Sequence, residues 1–140
     1  MTVRAIADTG PLVAFLDRAE KHHDWAVAQV RELSIPLLVC EPVLAEASHL
    51  LARFPGARDA LFALLQNGAL KIAFRSGEHV PQLRALLRKY QDRPMSYADA
   101  CIVRMAEIHR GHAVFTLDAD FAIHRTSSGE ILKLITPLNK

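Results

Sequence analysis

The chain has 140 residues, 51% of them hydrophobic and 23% charged, which suits one core and leaves no length for two. Its longest apolar stretches, such as Val43 to Leu51, carry Glu46 and His49 and fall well short of the ~20 residues of a membrane span, so a protein free of the membrane is expected. The formal net charge of +2 permits contact with a polyanion without requiring one. A single domain over residues 1–140 follows as the working expectation.

In chain order, Val3 to Ala7 is short, apolar and β-prone, and the turn formers of Asp8-Thr9-Gly10-Pro11 end it. No secretory signal pattern is read in this N-terminus. Helical periodicity covers Pro11 to Asp17 and Asp24 to Leu33, with Trp25, Ala28 and Val30 as core candidates, and Pro36 breaks it. Leu37 to Cys40 reads as a second strand, and Glu41-Pro42 suits the start of a helix that runs to Phe54. The next helix, Gly56 to Gln66, stops at Asn67-Gly68, and a third strand follows at Leu70 to Phe74.

Helices are then expected at Glu78 to Gln91 and Ser96 to His109, a fourth strand at Ala113 to Thr116, a short helix at Asp120 to His124, and a last strand at Ile131 to Ile135. Strands alternate with helices and are apolar at nearly every position. That pattern implies an α/β fold with a parallel sheet covered on both faces. Cys40 and Cys101 lie in apolar segments with no partner at metal or redox spacing, as expected of buried thiols in a reducing cytoplasm.

In an open α/β sheet, ligands bind beyond the carboxyl ends of the strands, where strand order reverses. Acids placed just after strands are therefore the informative residues. Asp8 closes the first strand, and Asp118 and Asp120 follow the fourth within Thr116-Leu117-Asp118-Ala119-Asp120-Phe121. Each also suits a helix cap or local turn. Glu46 shares a helical face with Val43, Ala47 and Leu50, a face expected to be buried, where a carboxylate needs a cation or a partner such as Arg53. Asp99 follows Ser96 in a Ser-x-x-Asp capping pattern. It also lies on a stripe with Ile102, Val103 and Ala106 in a helix from which only Arg104, Glu107 and Arg110 are expected to face outward.

If Asp8, Glu46, Asp99 and Asp118 converge, two carboxylates ~4 Å apart repel by roughly 4 kcal/mol at an effective dielectric constant of 20, and a cation must offset this. An all-oxygen donor set favours Mg²⁺ or Mn²⁺, ions that retain water and accept phosphate oxygens. Phosphodiester hydrolysis is the chemistry such a centre performs.

Asp8-Thr9-Gly10, Glu46 within Val43-Leu44-Ala45-Glu46-Ala47, Tyr97-Ala98-Asp99-Ala100 and the segment Thr116 to Phe121 together resemble the PIN-domain family, more narrowly its VapC-type toxins. The resemblance spans essentially the whole chain in order and spacing. It implies an α/β/α sandwich around a parallel sheet of four to five strands and a Mg²⁺- or Mn²⁺-dependent endoribonuclease site. By motif position, Asp8, Glu46, Asp99 and Asp118 match the family's acidic quartet. Thr9 and Thr116 match hydroxyls that support the metal-bound loops, and Asp120 matches a more variable acid. Gly10 stands where many relatives carry Ser or Asn, and Ser96 where some carry a further acid. Toxin members commonly form homodimers and are masked by a small antitoxin that inserts a basic residue into the site.

Arg84 with Arg88, and Lys89 with Arg93, pair near helical spacing shortly before Asp99, and Arg18 and Lys21 follow Asp8 by a turn or two. These basic residues are candidates for guiding an RNA backbone, against the plainer reading of a solvated helix face. The seven histidines make no two-His, one-acid arrangement on a clear helical face, and His22-His23 read as a surface loop. Two other functions suit the same residues: a catalytically silent nucleic-acid- or protein-binding module, and a metal-dependent DNA nuclease or phosphatase.

Overall fold

The computed structural model describes residues 3–138. Five short strands form one sheet: β1 (Ala5–Ala7), β2 (Leu37–Val39), β3 (Leu70–Ile72), β4 (Ala113–Phe115) and β5 (Leu134–Ile135). Their spatial order is β3-β2-β1-β4-β5, and every pairing is parallel. Parallel neighbours require crossover connections, and six helices supply them: α1 (Thr9–Leu16), α2 (His23–Glu32), α3 (Glu41–Leu51), α4 (Ala57–Gln66), α5 (Val80–Lys89) and α6 (Tyr97–Ile108).

Crossovers of this kind are right-handed, so reversing the direction of travel across the sheet changes the face that the helices cover. From β1 the chain steps to β2 and β3, then returns past its start to β4 and β5. The first four helices therefore cover one face, where α1 packs against α2, α3 and α4; α5 and α6 pack together on the other. The expected three-layer α/β/α sandwich is the observed architecture. Residues of β1, β2 and β4 are all buried, because each of these strands has a neighbour on both edges and helices on both faces. Ile6 at the centre of β1 faces Leu38 on one side and Val114 on the other. Phe115, Leu51, Leu61, Met105 and Phe121 fill the adjoining layers, and the Trp25 ring tilts onto Phe115 at 5.4 Å between centroids.

The departures from expectation fall at edges. Pairing of β1 begins at Ala5, while Val3 makes only an isolated bridge to Leu33 and is 39% exposed. As an edge strand, β3 is shorter than expected and exposes Lys71 and Ile72, so the sheet is not covered along its whole width. At the other edge, β5 keeps only two residues, and Ile131 instead bridges antiparallel to Arg125. The expected helix from Glu78 to Gln91 is divided into a 3-10 turn at Ser76–Glu78 and α5, with Pro81 in the first turn of α5 where its missing N–H costs nothing. Helix α3 stops at Leu51 rather than Phe54. The short helix near Asp120 is a 3-10 turn over Ala119–Ala122. His23 opens α2 and donates from Nδ1 to the Ala14 carbonyl at 2.7 Å, so it is no free surface loop.

Candidate active site

Reversal of strand order between β1 and β4 places the topological switch point there, and the chain puts carboxylates just beyond both strand ends. Asp8 is the N-cap of α1: its extended backbone (φ −90°, ψ 170°) ends β1, and Oδ1 accepts from the Thr9 amide at 2.8 Å. This cap starts α1 two residues earlier than periodicity suggests. The second oxygen, Oδ2, accepts from Thr116 Oγ1 at 2.7 Å, and the Asp8 amide donates to the Phe115 carbonyl at 2.9 Å.

Thr116 is fully buried and serves both strands' loops, because its hydroxyl also accepts from the Asp118 amide at 2.8 Å. Asp118 in turn accepts from the Asp120 amide at 2.9 Å and caps the 3-10 turn. Gly10 lets α1 approach this loop: a Cβ there would meet the Leu117 Cβ at 3.1 Å. The two acid-bearing loops are thus locked together through one hydroxyl and one close backbone approach.

Asp99 sits at the third position of α6 in a reciprocal capping box, its amide donating to Ser96 Oγ and its Oδ2 accepting from the Ser96 amide, both at 3.0 Å. Only one carboxylate oxygen is engaged in this way. Burial raises the Asp99 carboxyl above its ordinary range, and the Asp118 charge adds to the effect. Asp8 is pushed up to about 6, chiefly by burial, against the lowering effect of the Thr116 hydroxyl and the Thr9 amide; the charges of Asp99 and Asp118 raise it further. The Asp99 and Asp118 charges thus reach Asp8, and the Asp118 charge reaches Asp99, which puts carboxyls from the end of β1, the start of α6 and the loop after β4 on a single rim.

Glu46 does not lie on a buried face. It is exposed, as is Leu50 in the next turn, because α3 turns only Val43, Leu44, Ala47 and Leu51 inward. Its carboxylate accepts from Thr9 Oγ1 at 2.8 Å, so Thr9 links Glu46 to the Asp8 loop, while Arg53 lies over the Phe54 ring. On α6, Glu107 also departs from expectation. It pairs with Arg104 at 3.0 Å with little exposure and accepts from the Ser127 amide at 2.5 Å, whereas Ile108 is left 42% exposed.

His124, which the sequence left among scattered histidines, is buried beside the acids, with the Tyr90 and Phe121 rings in T-shaped contact with its own. Burial lowers its proton affinity, while Asp99, Asp120 and Asp118 oppose that effect. Its place one turn after Asp120 was the only available signal. Of the basic candidates, Arg93 is exposed in the α5–α6 turn and close enough for its charge to reach His124. Arg88 is exposed on α5, and Arg18 and Lys21 are exposed in the turn after α1.

Among the described residues no group of three or more His, Cys, Asp or Glu side chains is already arranged to hold a metal ion. The donor chemistry nevertheless suits a hard divalent cation: oxygen donors only, one of them a buried carboxyl whose negative form is destabilised until a cation arrives. Cys40 and Cys101 are both buried free thiols in mutual contact, and no soft-metal set forms around them among the described residues.

The PIN-domain family model matches residues 5–125, which include every acid named above. The chain belongs to the PIN-domain family. This PIN domain is 36% identical over 117 residues to Ribonuclease VapC26 of Mycobacterium tuberculosis, covering 81% of the chain and 85% of the relative. It also superimposes on the crystal structure of VapC20 of Mycobacterium tuberculosis, a sarcin-ricin-loop-cleaving toxin, with a TM-score of 0.75. That match covers 85% of this chain and 93% of the other at 19% identity, and it bears on the fold alone.

Proposed function

We propose that this PIN domain is an endoribonuclease that hydrolyses RNA phosphodiester bonds with Mg²⁺ or Mn²⁺, the toxin half of a toxin and antitoxin pair. Residues 1–140 act as one nuclease domain. The observation carrying this reading is the gathering of acids at the switch point: one Thr116 hydroxyl ties Asp8 to the Asp118 loop, and Asp99 lies near enough for its charge to act on the buried Asp8 carboxyl, an arrangement a divalent ion would favour. The 36% identity to a named ribonuclease supports the choice of RNA as substrate.

In this reading Asp8, Asp99 and Asp118 hold the ion, and Glu46 completes the rim. Bound there, the ion supplies Lewis acidity that makes water a better nucleophile and neutralises charge on the phosphate and the leaving oxygen. Thr116 fixes the Asp8 and Asp118 loops at one separation, and Thr9 orients Glu46. Ser96 positions the Asp99 carboxylate through its amide, which donates to Oδ2. Asp120 supports the Asp118 turn through its backbone amide. Arg18, Lys21, Arg88 and Arg93 draw the RNA backbone towards the rim. The remaining parts of the reading are a cytoplasmic protein, a homodimer and a small antitoxin carrying a basic residue into the acids. No helix among the described residues is long and apolar enough to cross a membrane, which accords with that location.

The test is incubation of purified protein with a mixed RNA pool and Mn²⁺, beside single-stranded DNA and a small phosphate ester. Cleavage of RNA that stops with EDTA and with Asp8→Asn or Asp99→Asn is expected. Turnover that survives EDTA, or prefers DNA or the ester, overturns the reading.

A further inference from the structure

A second feature of the surface, distinct from the acids, includes Arg88. The 3-10 turn at Ser76–Glu78, the outer face of α5 and the first residue of α6 enclose an open groove of about 460 Å³. Its floor is apolar, with Val80, Leu83 and Leu87 along it, and Val80 is 55% exposed. Tyr97 forms its end wall, 50% exposed, with its hydroxyl hydrogen-bonded to Ser76 Oγ. Arg84 and Arg88, one turn apart on α5, line the groove, and neither has an ion-pair or hydrogen-bond partner among the described residues.

An occupant of this groove must offer an apolar face to the floor and negative charge to the two guanidinium groups. Single-stranded RNA meets both needs, with a base against the aromatic wall and phosphates on either side. A two-fold contact of this face with itself meets them poorly, because its lining carries two guanidinium groups and no carboxylate. Tyr97 and Asp99 both belong to the first turn of α6, on different sides of it, so the groove and the acidic rim share that helix start.

We propose that this groove is a base-binding subsite, in which Tyr97 stacks one unpaired base and Arg84 and Arg88 engage the flanking phosphates, so placing the neighbouring phosphodiester at the acids. The proposal rests on the ribonuclease reading above and names residues that set where the strand is held.

Binding of a fluorescein-labelled, unstructured RNA decamer is measured by anisotropy in the Asp8→Asn background, so that cleavage does not interfere. Adding Tyr97→Ala should weaken binding by roughly 5- to 150-fold, the range for loss of one base–aromatic stack, while Tyr97→Phe stays within about twofold. Joint replacement Arg84→Ala and Arg88→Ala should reduce the slope of log affinity against log salt by about 1.4. Wild-type affinity in Tyr97→Ala overturns the proposal, and so does an unchanged salt slope. Equal damage from Phe and Ala overturns it too, by assigning Tyr97 to its Ser76 contact. Sedimentation of the same variants is the further control: a dimer lost in Tyr97→Ala with RNA binding intact overturns the proposal in favour of self-association. Cleavage of long RNA by unmodified protein is scored separately, and its absence defeats the ribonuclease reading without altering the binding result.

Discussion

At the scale of single residues, Asp8 carries the most information, because its buried carboxyl retains a proton up to about pH 6 instead of the ordinary 3.8. The folded state therefore binds a proton that the unfolded chain has already released. Stability from this group is full below about pH 4 and is lost as pH rises towards 6, by about 3 kcal/mol from a shift of about two pKa units. Chemical denaturation of metal-free protein across that window should show the fall, and Asp8→Asn should flatten it; a stability that rises over the same window would refute the assignment. Thr116→Val removes the donor to Asp8 and leaves the Asp118 amide without its acceptor. A loss of about 1–3 kcal/mol in stability and of roughly 10- to 100-fold in metal affinity is expected, by denaturation and calorimetry respectively. The placement of Asp8 and Asp118 just beyond β1 and β4 was legible in the sequence because each follows an apolar strand. The burial of His124 was not, since a histidine one turn after an acid reads equally well as surface.

At the scale of elements, the acids are delivered by caps as much as by strands. The α6 capping box means that Ser96→Ala acts twice, removing a cap and loosening Asp99. About 1 kcal/mol of stability should go, with a fall in cleavage that Ser96→Thr largely restores; an unaffected cleavage rate would show that the box serves the helix alone. Core elements respond differently. Phe121 is fully buried where the 3-10 turn after Asp118 packs onto the core, so Phe121→Ala should cost about 3–5 kcal/mol in denaturant melts. Glu46 shows where periodicity misleads. The positions around it on α3 carry apolar residues, yet Leu50 and Glu46 itself lie at the exposed border of the helix, and composition alone does not mark where a helix leaves the protein surface. The edge strands were over-read for a related reason: apolar residues in β3 and before β5 extend past the last neighbour available to pair with them.

At the scale of the whole molecule, the expected consequence is coupling between ion binding and folding. Burial, with the neighbouring acid charges, disfavours the ionised form of Asp8 until a cation binds, so Mg²⁺ or Mn²⁺ at a hundred times its dissociation constant should add about 2.7 kcal/mol, and EDTA should remove it. Thermal melts with and without the ion test this; identical melting temperatures would exclude a metal centre at the rim. The alternation of strand and helix and the parallel sheet were decided by sequence, because apolar strands divided by helical segments of this length have few ways to bury themselves other than a doubly wound sheet, and the family was readable from the acid-bearing motifs it resembles. Tertiary structure alone decided which side chains meet: that one Thr116 hydroxyl ties Asp8 to the Asp118 loop, that Gly10 lies against Leu117, and that a groove opens beside Tyr97. Those contacts join residues as much as 108 positions apart, and local pattern reports how a segment folds but not what folds against it.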